Sequence, residues 1–188
     1  MPTFGHSMGG LIAQRVALTA PARVLSLSLL CTFLQGSQGA AMSLPMLITA
    51  VRSRIGTRRM RRHAFVELVM PPAYLASVDR DELCAGLQGL FGRDLADQPS
   101  IVMQQVRAMS KFNVSAQLSK LSSIPTIVGS AEHDRIARPE YGRALAAAIP
   151  GATFTEIPHA AHAVTIQCAA DVNALLTRHL REASPART

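Results

Sequence analysis

The stretch Phe4-Gly5-His6-Ser7-Met8-Gly9-Gly10 decides how the rest of the chain is read. Its serine has a glycine two residues to either side. A short extended segment, Pro2-Thr3-Phe4, leads into it, and Leu11-Ile12-Ala13-Gln14-Arg15-Val16-Ala17 continues from it with helical spacing. The pattern describes a sharp turn from strand to helix in which the serine is held in a strained conformation with Oγ lifted clear of the chain. Neighbours two positions away must then leave room for the adjacent strand and helix. The turn also sets the serine at a helix N-terminus, where free N–H groups and the helix dipole favour negative charge. A glycine-rich turn capped by serine uses the same residue types, so partners elsewhere in the chain must decide between the two readings.

Outward from the turn, helix and strand alternate. The spacing predicts a helix from Met8 to about Ala20, closed by Pro21, and then a strand over Val24 to Cys31. The serines of that strand are small enough to pack beneath helices, so it reads as a parallel strand buried on both sides. From Gln35 to about Leu121 helical periodicity prevails, with breaks at Gly56, Pro71-Pro72, Gly92 and Pro99. Helices are expected near Ser43 to Ile55, Arg58 to Val69, Arg80 to Leu90 and Ser100 to Ser110, with a further piece near Ser115 to Lys120. Alternation then resumes: a strand at Ile124 to Gly129, a helix at Glu140 to Ile149, a strand at Ala152 to Ile157, and a closing helix from about Val164 to Leu180. Residues 183–188 read as a frayed tail.

The 188 residues are 48% hydrophobic and 16% charged, enough for one domain with a buried core. Cys31, Cys84 and Cys168 are odd in number and far apart, which argues against a disulfide framework and fits a cytoplasmic location. The longest apolar stretch, near Val24 to Leu34, is interrupted by serines and too short to span a bilayer. Much of the net charge of +7 comes from Arg52, Arg54, Arg58, Arg59, Arg61 and Arg62. No aromatic residues interleave with them, and apolar residues recur on one side, so the stretch reads as solvated helix faces and not as a nucleic-acid surface.

Taken together, the Gly-His-Ser-Met-Gly-Gly turn and the α/β alternation resemble the α/β-hydrolase fold superfamily, whose members often carry such a nucleophile elbow. The resemblance implies a mostly parallel sheet flanked by helices. Residues 1–34 and 122–182 would form the core, and residues 35–121 an inserted helical cap over the serine. It also implies a Ser7 nucleophile, an acid and a histidine, in that chain order. Asp134 stands in a Gly-Ser-Ala-Glu-His-Asp-Arg context similar to the family's acid loop, with Glu132 as the rival carboxylate. His162 follows the next strand, with His159 as its rival, and Ala160-Ala161 stands where the family commonly has glycine. Met8 would lend its backbone N–H to an oxyanion.

The expected activity is hydrolysis of a small-molecule ester or related acyl compound through an acyl-enzyme, with no cofactor. No metal site is expected, because His133, His159 and His162 match no zinc spacing. The resemblance covers the C-terminal two-thirds of the family domain. A complementary N-terminal segment or a homo-oligomer is therefore an expected partner, and a truncated hydrolase-like protein without catalysis is the alternative reading.

Overall fold

Four parallel strands in the order β1-β2-β3-β4 form the centre of the computed structural model, which describes residues 1–41 and 43–183. They are β1 (Pro2–His6), β2 (Ser26–Leu30), β3 (Thr126–Ala131) and β4 (Thr153–Ile157). Pro2 lies opposite Ser26, Leu27 opposite Thr126, and Ile127 opposite Thr153. Parallel pairing requires a crossover between successive strands. Helix α1 (Met8–Thr19) supplies the first, α8 (Pro139–Ala148) the last, and a long helical excursion the one between. All four strands therefore end at the same edge of the sheet, the position at which open α/β sheets bind ligands.

Both central strands are buried along their whole length, as their two-sided covering requires. Leu27 and Leu29 join Ala13, Ala17, Val128, Leu145 and Ile149 in one core cluster. Leu30, Cys31, Phe33, Ala131, Ile157, Val164 and Val172 belong to a second. Ser26 and Ser28 are buried as well, which is the tight packing beneath helices expected of them.

The excursion contains α2 (Gly36–Ala40), α3 (Leu44–Arg52), α4 (Arg58–Val69), α5 (Pro72–Ala76), α6 (Arg80–Phe91) and α7 (Val102–Ser110). Helices α2 and α5 were not expected. Each is a single turn of five residues, too short for a periodic signal, and each begins at a residue that reads as a breaker, Gly36 or Pro72. Reciprocal hydrogen bonds between Gln35 and Gln38 cap α2, and Pro72 occupies the first helical position of α5, where its missing N–H costs nothing. The piece near Ser115 is a 3-10 turn, Ser115–Leu121. The closing helix is two, α9 (Val164–Gln167) and α10 (Ala169–Ala183), separated at Cys168, whose backbone leaves the helical region at φ −124° and ψ 44°. Of the expected tail, residues 184–188 lie outside the described residues.

A third cluster, including Val66, Met70, Leu75, Cys84, Leu87 and Leu95, packs α4, α5 and α6 together and reaches Ala163 beside the sheet edge. The arginines of α4 are more than a solvated face. Arg58 and Arg62 converge on Asp94, Arg59 pairs with Asp81, and Arg52 at the end of α3 pairs with Glu67 of α4. Arg62 and the Ala96 N–H hold the Asp94 carboxyl well below the usual carboxylate range, with Arg58 adding to them. Among the described residues no helix is long and apolar enough to cross a membrane.

Candidate active site

Ser7 follows the last residue of β1 and caps α1 with φ 54° and ψ −124°, a conformation non-glycine residues avoid. Three hydrogen bonds hold it there. Its N–H donates to the Leu30 carbonyl at 2.9 Å, and its carbonyl accepts from Thr32 Oγ1 at 2.7 Å and from the Gly10 N–H at 2.9 Å. The turn is thus fastened to the end of β2. A Cβ on Gly5 would lie 2.4 Å from the Gly9 carbonyl oxygen, and one on Gly10 would lie 2.4 Å from Thr32 Oγ1. A Cβ on Gly9 meets nothing within 4 Å, so the space-making role expected of the residues two positions either side of Ser7 falls to Gly5 and Gly10 instead. Because α1 begins at Met8, the Met8 N–H is among the first-turn donors that have no acceptor within the helix.

His162 and Asp134 come from the loops after β4 and β3. His162 Nε2 lies 2.8 Å from Ser7 Oγ, and His162 Nδ1 lies 2.8 Å from Asp134 Oδ2. Asp134 is buried, and its other oxygen accepts the N–H groups of Ile136 and Ala137, both at 2.8 Å. Burial pushes the Asp134 carboxyl upward. The His162 hydrogen bond and charge, with the two backbone donors, outweigh that effect and leave it below its ordinary value. Carboxylate, imidazole and hydroxyl therefore form one continuous hydrogen-bonded line.

The rival residues are placed elsewhere. Glu132 accepts the His159 N–H at 2.8 Å on the exposed side of the loops, and His159 is itself exposed. The structure gathers Glu132, His133 and His159 into one group and leaves His162 out of it.

His6, the residue before Ser7, packs against His162. Its Nε2–H donates to the His162 carbonyl at 2.9 Å, and its ring lies 4.9 Å, centre to centre, from that of His162. Burial and the nearby His162 lower its pKa to about 4, so the ring is neutral at physiological pH. Sequence reasoning missed Thr32 and Gln167. Gln167 Nε2 donates to the His159 carbonyl, and its Oε1 accepts the Ala161 N–H, so it braces the histidine loop. Neither residue sits in a recognisable pattern; only the fold brings it to the turn or loop it supports.

A cavity of about 300 Å³ opens onto His6 and His162, with Phe65, Val69, Leu87, Leu90, Phe91 and Ile166 among its walls. Met109 and Phe112 line a separate apolar groove of about 350 Å³ beside Met8 and Ile12.

The family model described as alpha/beta hydrolase fold matches residues 3–167. The chain is 34% identical over 169 residues to "Polyketide synthase ThaQ" of Burkholderia thailandensis, a match covering 85% of this chain and 8% of that protein. It is 25% identical over 183 residues to "Putative carbamate hydrolase RutD" of Variovorax paradoxus, covering 96% of this chain and 65% of that protein. The enol-lactonase structure from Burkholderia xenovorans superposes with a TM-score of 0.70 at 23% identity, over 95% of this chain and 64% of that one. The chain thus spans a small fraction of the first relative and just under two-thirds of the other two.

Proposed function

The chain belongs to the alpha/beta hydrolase fold family, and on that premise we propose that it is a serine hydrolase, cleaving carboxylic esters or related acyl compounds through an acyl-enzyme on Ser7. The observation that carries this reading is the line Ser7 Oγ, His162, Asp134, with 2.8 Å at each junction.

Each group then has one task. A serine hydroxyl is a weak nucleophile until a neutral imidazole takes its proton during attack. Asp134 accepts the Nδ1–H of His162, which leaves the Nε2 lone pair aimed at Ser7 Oγ and stabilises the imidazolium once it forms. As Oγ bonds to the acyl carbon, its proton passes to Nε2. The tetrahedral intermediate then collapses, and the same proton goes to the departing alkoxide. Water repeats the cycle against the acyl-enzyme and regenerates Ser7. The free Met8 N–H donates to the oxyanion, a contact of a kind whose loss typically costs about a hundred- to a thousand-fold in turnover. Residues 35–121 act as a cap whose α4 and α6 form the apolar wall facing His162. That wall favours a neutral acyl group over a charged one, because a carboxylate there would lose its hydration without gaining a partner.

The experiment is turnover of a series of nitrophenyl esters, from acetyl to decanoyl, by the chain and by Ser7→Ala. The reading expects hydrolysis that is lost in the variant. Turnover that survives Ser7→Ala would contradict it. A folded chain that hydrolyses none of the esters favours the alternative of a hydrolase-like protein without catalysis.

A further inference from the structure

The loops that carry Asp134 and His162 hold a second group of polar side chains on their outer face. Their backbones are joined, since the Glu132 N–H donates to the Ile157 carbonyl at 3.0 Å and the His133 N–H to the Ala160 carbonyl at 2.8 Å. Glu132 Oε2 is fixed by the His159 N–H at 2.8 Å. Toward that same oxygen come His133 Nε2 at 3.8 Å and His159 Nδ1 at 4.0 Å. One ligand atom from each of the three residues lies within 4.8 Å of both others.

We propose that Glu132, His133 and His159 form a binding site for a divalent transition-metal ion of the Zn2+ or Ni2+ type, with water completing its coordination. Two imidazole nitrogens and one carboxylate oxygen are the ligand set that such ions prefer, whereas Mg2+ and Ca2+ favour oxygen alone. Ligand atoms about 2.0–2.1 Å from a tetrahedral zinc lie roughly 3.4 Å from one another. The two nitrogens need to approach Glu132 Oε2 by roughly half an ångström, and a pair as far apart as 4.8 Å needs to close by about 1.4 Å, which exposed side chains achieve by rotation about their χ angles. Three features prepare the arrangement: the paired loop backbones, the anchored carboxylate, and Gln167 Nε2 holding the His159 carbonyl at 2.9 Å.

The separation in sequence, with Glu132-His133 on one loop and His159 twenty-six residues beyond His133 on the next, hides the site from any spacing motif. An ion here would clamp the loop of Asp134 to the loop of His162. It is no part of the Ser7 chemistry, and the proposal stands whether or not the chain hydrolyses esters.

The test is calorimetric titration of the untagged chain with zinc chloride and nickel chloride, alongside thermal unfolding with and without metal. All three side chains are exposed, so Glu132→Gln, His133→Ala and His159→Ala should fold, which circular dichroism checks. The chain should bind one equivalent and melt at higher temperature with metal, because a ligand of the folded state raises Tm. Each of the three variants should bind at least about tenfold more weakly. His63→Ala, which removes a histidine paired with Asp81 on the cap, should bind as the parent does. Absence of saturable binding up to millimolar metal overturns the proposal. So does an affinity that any of the three variants leaves unchanged, or one that depends on His63.

Discussion

Replacing Asp134 by asparagine changes one oxygen to an NH2 group and little else in shape. Asp134 Oδ1 accepts two backbone N–H groups at 2.8 Å, from Ile136 and Ala137, so the amide oxygen of asparagine must take that place. The NH2 then falls at the position of Oδ2, 2.8 Å from His162 Nδ1. A donor facing a donor is repulsive, so the imidazole must present a lone pair at Nδ1 and carry its proton on Nε2. That proton points at Ser7 Oγ and the base is gone, although every heavy atom remains near its place. The corresponding loss in a serine protease is about ten-thousandfold, equivalent to about 5.5 kcal/mol of barrier. The assay is the second-order rate of labelling by a fluorophosphonate, which reads the nucleophilicity of Ser7 without requiring a natural substrate. A fall of about a thousand- to ten-thousandfold is expected, with the variant still folded because both backbone hydrogen bonds persist. Labelling within about tenfold of the parent would show that the tautomer argument is wrong.

Four further outcomes follow from the same contacts. His6 titrates at about 4 in the folded chain and 6.5 when free, so the unfolded chain binds the proton first as pH falls; stability should drop by on the order of 3 kcal/mol from pH 7 to pH 4, and by less in His6→Gln, as read from urea unfolding at each pH. The Asp134 carboxyl, depressed by His162 and two backbone donors against the opposing effect of burial, adds stability that is complete above the usual carboxylate range and lost as pH falls through its lower folded value. In that acid range Asp134→Asn should show the shallower dependence. Gly5→Ala sets a Cβ 2.4 Å from the Gly9 carbonyl oxygen, a backbone atom that cannot swing aside, and should cost at least about 3 kcal/mol in denaturant unfolding, or prevent folding outright. Leu87→Trp adds bulk to the wall of the cavity of about 300 Å³ facing His162 and should shift the preferred nitrophenyl ester toward shorter acyl chains, measured as kcat/KM across the series.

The strands were legible because their apolar runs are bounded by breakers, and β2 could be placed inside the sheet from its small serines. The turn at Ser7 was legible because its glycines are a steric necessity, although the necessity lies at Gly5 and Gly10 and not at Gly9. Helices α2 and α5 were hidden because one helical turn has no period, and α9 merges with α10 in any periodic reading since Cys168 breaks the helix only through its backbone. Thr32 is a lone threonine after a strand. Nothing about it signals that its hydroxyl holds the Ser7 carbonyl, because that contact exists only once β1 and β2 pair. Arg58 and Arg62 of α4 looked like a solvated face for the same reason: Asp94, which they share, lies more than thirty residues further along the chain. Glu132 read only as a rival carboxylate, and His133, His159 and His162 matched no zinc spacing; two paired loop backbones bring Glu132, His133 and His159 together. Local steric demands and periodicity are written in sequence, whereas contacts between distant elements appear only in the fold.

The most direct test of the central claim is intact-mass spectrometry of the folded chain after reaction with a fluorophosphonate, with Ser7→Ala and His162→Ala treated alongside. The account predicts a mass increase of one adduct per chain, absent from Ser7→Ala and formed far more slowly in His162→Ala. A folded chain that gains no adduct, or an adduct that persists when Ser7 is removed, would contradict it.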